Sequence, residues 1–193
     1  MEWNASDYAR QSSLQEAMTE EQLALLDPEG WEQILDVGCG DGKITAKIAE
    51  RVPRGSVLGV DPSQGMIAFA SSHFGPSDRP NLRFAVADAR CLPYRHEFDL
   101  VVSFNALHWV PEQDEALRSI RATLRPGSRA IMRFVPAGER KSLEDVIEEV
   151  RESAGWAIYF RGFRRPYVHL PTEDYQSPGP AKWASRGPHP HPG

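Results

Sequence analysis

Between Gln33 and Val135 the hydrophobic pattern changes period repeatedly. Short apolar, β-rich runs stand at Ile34–Val37, Ser56–Val60, Leu82–Ala87, Phe98–Phe104 and Arg129–Val135. Between them, Lys43–Val52, Ser63–Phe74 and Glu112–Leu124 carry apolar residues at helical spacing, as in Leu117, Ile120 and Leu124. Strands that alternate with helical runs predict an α/β fold with a doubly wound, mostly parallel sheet. The first run is apolar on both faces, as a strand covered on both sides requires. Arg125-Pro126-Gly127 reads as a turn where the period changes. Upstream, Ser6–Leu26 reads as a helical segment with Leu14, Met18, Leu23 and Leu26 on its apolar side, and residues 1–30 are expected to lie over the site. Downstream of the 31–135 core, Leu143, Val146, Ile147, Val150 and Ala154 predict an amphipathic helix. An aromatic and basic stretch follows (Trp156, Tyr159, Phe160, Arg161, Phe163, Arg164, Arg165, Tyr167), and residues 136–174 read as helix plus lid, with Trp156, Tyr159 and Phe160 as the lid's own core in preference to a ligand box.

Composition adds a boundary and removes some partners. The chain has 193 residues and 16 prolines; from Tyr175 onward, Pro and Gly make up 8 of 19 residues without periodicity, so 175–193 reads as a disordered tail. A formal charge of −5 gives no electrostatic reason to seek nucleic acid or an anionic membrane. No apolar run approaches the roughly 20 residues of a membrane helix. Two cysteines, Cys39 and Cys91, imply no disulfide framework, and with no secretory signal the expectation is a cytoplasmic protein. Oligomeric state is left open. His189 and His191 in the tail do not make a metal site, and no metal is assigned.

Candidate chemistry centres on Asp36-Val37-Gly38-Cys39-Gly40-Asp41-Gly42, where the first strand hands over to the first helix. Glycines there permit a tight turn and the approach of a ligand to bare backbone at a helix N-terminus. The spacing is G-x-G-x-G, not the G-x-G-x-x-G of dinucleotide binding. Asp36 in the first strand, Asp61 ending the second and Asp88 after the third put carboxylates at successive strand ends. Asp61 can accept from ribose hydroxyls and Asp88 can face an adenine amino group. Alone, each has a plain alternative, since Asp61 can help cap the next helix and Asp88 can stabilise a turn. Together they would repel a diphosphate and suit a cationic sulfonium nucleoside, which points to S-adenosylmethionine. Met66 reads mainly as helix core that can also pack on the adenine.

These segments resemble the class I S-adenosylmethionine-dependent methyltransferases: ILDVGCGDG at 34–42, VLGVDPSQGM at 57–66, VADAR at 86–90, FDLVVSFNALHWV at 98–110 and LRPG at 124–127. The resemblance implies a Rossmann-like sheet. It assigns Asp36, Gly38, Gly40 and Gly42 to the methionine moiety, Asp61 to the ribose, Asp88 and Ala89 to the adenine, and Asn105 to the pocket floor. Outside this core, Asp7-Tyr8, Ser12-Ser13-Leu14-Gln15, Leu107-His108-Trp109-Val110 and the Trp156–Tyr167 stretch are similar to the juvenile hormone acid and trans-aconitate methyltransferases. Those enzymes esterify carboxylic acids, and the resemblance places Gln15 and Trp109 on the substrate carboxylate.

A carboxylate is ionised at pH 7, so transfer needs placement rather than a strong base. His108 is the candidate base if one is used, but a packed or surface role is expected of it; Cys39 is expected to be a packing residue, and Arg161, Arg164 and Arg165 a solvated face or the anchor of a second carboxylate. The two final strands usual in the resembling families find no candidate segment after Tyr175. The expectation is therefore a small-molecule carboxyl O-methyltransferase, or a truncated isoform that keeps the cofactor pocket with impaired catalysis.

Overall fold

The computed structural model describes residues 21, 23, 24 and 26–176. They divide into two compact units at Phe134/Val135. In the first, five strands alternate with helices: β1 (Gln33–Val37), α1 (Lys43–Arg51), β2 (Ser56–Asp61), α2 (Gln64–His73), β3 (Leu82–Val86), β4 (Phe98–Phe104), α3 (Gln113–Thr123) and β5 (Leu124–Arg133). The sheet order is β3-β2-β1-β4-β5 and every pairing is parallel. The chain winds outward from β1 to β3, then returns to β4 on the other side of β1. Such a reversal opens a crevice at the carboxyl ends of the two central strands, here β1 and β4.

Alternation along β1 explains how both faces are covered. Ile34 packs into a core with Ala46 and Ile48 of α1 and Val52 just after it, while Leu35 and Val37 pack into another with Ala116 and Ile120 of α3. Leu23 and Leu26 of the N-terminal segment are fully buried in the α1-side core, and the Arg51 and Arg129 side chains donate to their carbonyls at 2.6 and 2.7 Å. Glu21, Leu23 and Ala24 are helical, and residues 6–20, 22 and 25 of the expected helix lie outside the described residues.

One strand differs from its expected bounds. Arg125-Pro126-Gly127 does not end an element; it lies within β5, which begins at Leu124. The register against β4 jumps from Phe98↔Leu124 to Leu100↔Arg129, so the segment bulges out of the ladder. Pro126 has no N–H to pair, and Gly127 takes a left-handed φ of 84°, so the turn chemistry is spent on the bulge.

The second unit holds α4 (Leu143–Glu152), a 3-10 turn at Ala157–Phe160 and α5 (Thr172–Gln176). Ser142 and Asp145 form a reciprocal capping box that starts α4. The apolar stripe read from the sequence is exposed at Leu143, Val146, Ile147 and Val150, and the buried residue of α4 is Glu148. Its carboxylate accepts from Arg151 and Arg165, so an ion cluster takes the place expected for apolar packing. Trp156, Tyr159 and Phe160 are likewise exposed and do not form a lid core. α5 carries the chain to Gln176, past the expected start of the tail, and 177–193 lies outside the described residues. No helix among the described residues is long and apolar enough to cross a membrane.

Candidate functional site

The glycine loop fills the crevice end of β1. The Gly38 and Cys39 N–H groups both donate to the Val60 carbonyl, at 2.8 and 3.0 Å, which bends the chain over β2. Gly42 then caps α1 in the left-handed region. Gly38, Gly40 and Gly42 all have positive φ, at 79°, 53° and 80°, so each position favours glycine on backbone grounds.

Their surroundings separate the three. A Cβ on Gly38 would sit 2.2 Å from the Ala106 methyl, and one on Gly42 would sit 2.8 Å from both Ala70 Cβ and the Phe84 ring. Gly59 on β2 is bare for the same ring, with Phe84 2.7 Å from its missing Cβ. At Gly40 nothing lies within 4 Å. Protein neighbours thus explain two of the glycines, and Gly40 is the one whose bare face is open to a ligand.

The acids stand at adjacent strand ends, in different states. Asp36 is buried on the α1 side of β1, where Thr45 Oγ1 donates to it at 2.7 Å. Burial pushes its pKa up to about 7, against the Thr45 hydrogen bond, and the Asp61 charge adds to the rise. Asp61 accepts from Gly40 N–H at 3.1 Å on one oxygen and from Ser63 N–H at 2.9 Å on the other. Burial raises its pKa, opposed by those two bonds. It therefore braces the next turn, as its plain alternative required, and also faces the open glycine. Asp88 is held by Arg90, whose Nε lies 3.0 Å from each carboxylate oxygen; the bonds from Arg90 keep its pKa below the usual range. Arg90 also pairs with Glu112 at 2.9 Å.

Three full negative charges around one pocket are therefore not what forms. Asp88 is paired with Arg90, and burial works against ionisation of both Asp36 and Asp61. Repulsion of a diphosphate is correspondingly weaker than the sequence argument assumed. Burial, with the neighbouring acids adding, holds the Cys39 thiol well above its ordinary pKa, which fits a packing residue.

The remaining sequence-selected residues sort by element. Met66 is buried in α2, its N–H donating to the Ser63 hydroxyl. Ala89 is buried in a 3-10 turn capped by Asp88. Asn105, directly after β4, is left-handed with φ 57°, and its N–H donates to the Arg133 carbonyl at 2.7 Å. Trp109 ends a 3-10 turn (Leu107–Trp109) and is partly exposed, whereas the adjoining His108 is buried, with ring centroids 5.4 Å apart. His108 is therefore packed, and Gln15 lies outside the described residues. In the second unit Arg165 is committed to Glu148 and Glu152, so it does not stand ready for a second carboxylate; Arg161 and Arg164 are exposed. Among the described residues no group of three or more His, Cys, Asp or Glu could hold a metal ion.

Thr45, Phe84 and Ala106 shape the loop without having been read as site residues. Thr45 carried a signal, a hydroxyl in the first turn of the helix behind a buried acid. Phe84 and Ala106 carried none, because their role depends on which strands become neighbours.

Residues 34–127 match the family model described as a methyltransferase domain. The chain is 37% identical over 127 residues to a trans-aconitate 2-methyltransferase of Deinococcus radiodurans, covering 66% of this chain and 47% of that one. It is 37% identical over 123 residues to a malonyl-[acyl-carrier protein] O-methyltransferase of Geobacter sulfurreducens, covering 62% and 45%. Among solved structures, a Haemonchus contortus phosphoethanolamine N-methyltransferase 2 in complex with S-adenosyl-L-methionine superposes with a TM-score of 0.66 at 22% identity, over 83% of this chain and 35% of that one. The chain spans about half the length of the relatives it matches.

Proposed function

Residues 34–127 belong to the methyltransferase-domain family, in its class I form, and from that premise we propose that the chain binds S-adenosylmethionine and methylates a carboxylate of a small organic, isoprenoid or fatty acid. The observation that carries the reading is Gly40, bare and open on one side and hydrogen-bonded to the Asp61 carboxylate on the other. Backbone at Gly40 can approach the methionine moiety. Each Asp61 oxygen already takes one backbone N–H and keeps acceptor capacity for a ribose hydroxyl. Asp36, Gly38 and Gly42 complete the cradle, with Met66, Asp88, Ala89 and Asn105 around the nucleoside. The bound cofactor supplies an electrophilic methyl on a sulfonium.

The acid side follows from protonation states. A carboxylate is already the nucleophile at neutral pH, and the chain's task is to hold it in line. The Trp109 indole N–H and the Gln15 amide N–H can bind one carboxylate oxygen while the other attacks. Donors of this kind fix geometry without protonating the nucleophile. The buried His108 is not assigned as a base. The relatives named for trans-aconitate and for malonyl-[acyl-carrier protein] support a carboxylate as the acceptor.

Calorimetric titration with S-adenosylmethionine and with NAD, followed by a labelled-methyl assay over fatty, isoprenoid and tricarboxylic acids, tests the reading. Heat with S-adenosylmethionine and label in one acid class is the expected result. Binding without turnover on any acid would leave a cofactor-binding chain with impaired catalysis, and no binding would sink both. Gln15→Ala and Trp109→Ala should each lower kcat/KM by about tenfold to a hundredfold with cofactor affinity nearly intact. A parallel loss of cofactor affinity in both would contradict their assignment to the acid.

A further inference from the structure

We infer that Ala106 is a positioning residue, tying the Trp109 segment to the glycine loop so that cofactor binding at the loop sets the pose of the indole offered to the acid. The inference rests on the proposed function and assigns a role to a residue outside the proposed cofactor cradle and acid donors. Its basis is the contact between Ala106 and Gly38: the space a Gly38 Cβ would need is taken by the Ala106 methyl, 2.2 Å from that point. The two elements therefore meet with no slack, because one side chain is absent and the other is a single methyl.

The backbone around Ala106 is fixed from several directions. Ser103 Oγ, buried at the end of β4, donates to the Val37 carbonyl at 2.8 Å, so β4 is tied to β1 one residue before Gly38. Asn105 then turns through the left-handed region while its N–H holds the Arg133 carbonyl of β5. After Ala106, the Trp109 N–H donates to the Ala106 carbonyl at 2.9 Å, and Leu107 and His108 are buried between them. A movement of Gly38 is passed to the Ala106 methyl, and from Ala106 to Trp109 through one hydrogen-bonded turn. Closely packed contacts transmit such shifts because they cannot deform gradually.

The test uses the whole chain labelled with fluorotryptophan, the residue-109 resonance being identified with Trp109→Phe. S-Adenosylmethionine is titrated, and its affinity is read by calorimetry on the same samples. Wild type should shift the residue-109 resonance at saturation, and Ala106→Ser, which keeps a Cβ against Gly38, should do the same. Ala106→Gly should bind the cofactor within about threefold of wild type yet retain less than about a third of the shift, with KM for the acid raised more than kcat is lowered. Because Gly38→Ala alone must clash, the pair Gly38→Ala/Ala106→Gly should melt above Gly38→Ala. An unreduced shift in Ala106→Gly, a shift lost in Ala106→Ser, or a double variant no more stable than Gly38→Ala overturns the inference while the proposed function stands. No heat with wild type overturns the proposed function, and the inference with it.

Discussion

Asp36 is a carboxyl group placed where ionisation is unfavourable, and its cost to the fold has a definite sign. Its folded pKa is raised from 3.8 to about 7, so between those values the folded chain holds a proton that the unfolded chain has released. Stability from this group is therefore lost as pH rises through that window, with a limiting slope of about 1.4 kcal/mol per pH unit. Asp36→Asn, which can still accept from Thr45, should raise the melting temperature more at pH 8 than at pH 5; equal gains at both would contradict the burial argument. The glycines make a second contrast. Gly40→Ala should cost roughly 1–2 kcal/mol for its left-handed φ and weaken S-adenosylmethionine binding about tenfold, whereas Gly42→Ala adds a collision with Ala70 and Phe84 worth about 1–3 kcal/mol more. Denaturant midpoints and calorimetry on the two variants check this order. The sequence made the three glycines legible as a unit but not their separate reasons, since those depend on Phe84 from β3 and Ala106 from the segment after β4.

At the scale of elements, the hydrophobic pattern was sufficient wherever burial alone decides structure. β1 to β4 and α1 to α3 fall within about two residues of their predicted bounds, because each is fixed by a face that must be covered. Leu35, completely buried between sheet and α3, tests that point: Leu35→Ala should lower unfolding free energy by about 2–5 kcal/mol in denaturant titrations. Prediction departed from the structure where local chemistry had two outlets. Pro126-Gly127 can end a strand or bulge it, and pairing with β4 selects the bulge. In α4, amphipathic spacing showed where an apolar face lies but not whether it would be covered; the Glu148 cluster with Arg151 and Arg165 decides which side is buried.

For the whole molecule, strand order does the organising. Placing β1 between β2 and β4 brings the glycine loop, Asp61 and Asn105 to one rim, although 67 positions separate Gly38 from Asn105. That rim was readable because motif order follows strand order; the pairing of Asp88 with Arg90 was not, since an acid and a base two residues apart can equally point away from each other. Native-state hydrogen exchange should find the slowest amides in β2, β1 and β4, paired on both sides, and faster exchange in β3 and β5, which among the described strands each pair with one neighbour. Uniform protection across all five strands would contradict that gradient. The clamp on the glycine loop also sets what laboratory evolution can reach from this chain. Changes at Gly38 or Gly42 must first unseat Ala106, just after β4, or Ala70 and Phe84, so variants accepting an altered cofactor should arise at Gly40, where a Cβ would meet nothing within 4 Å, and at the Asp61 carboxylate bonded to it.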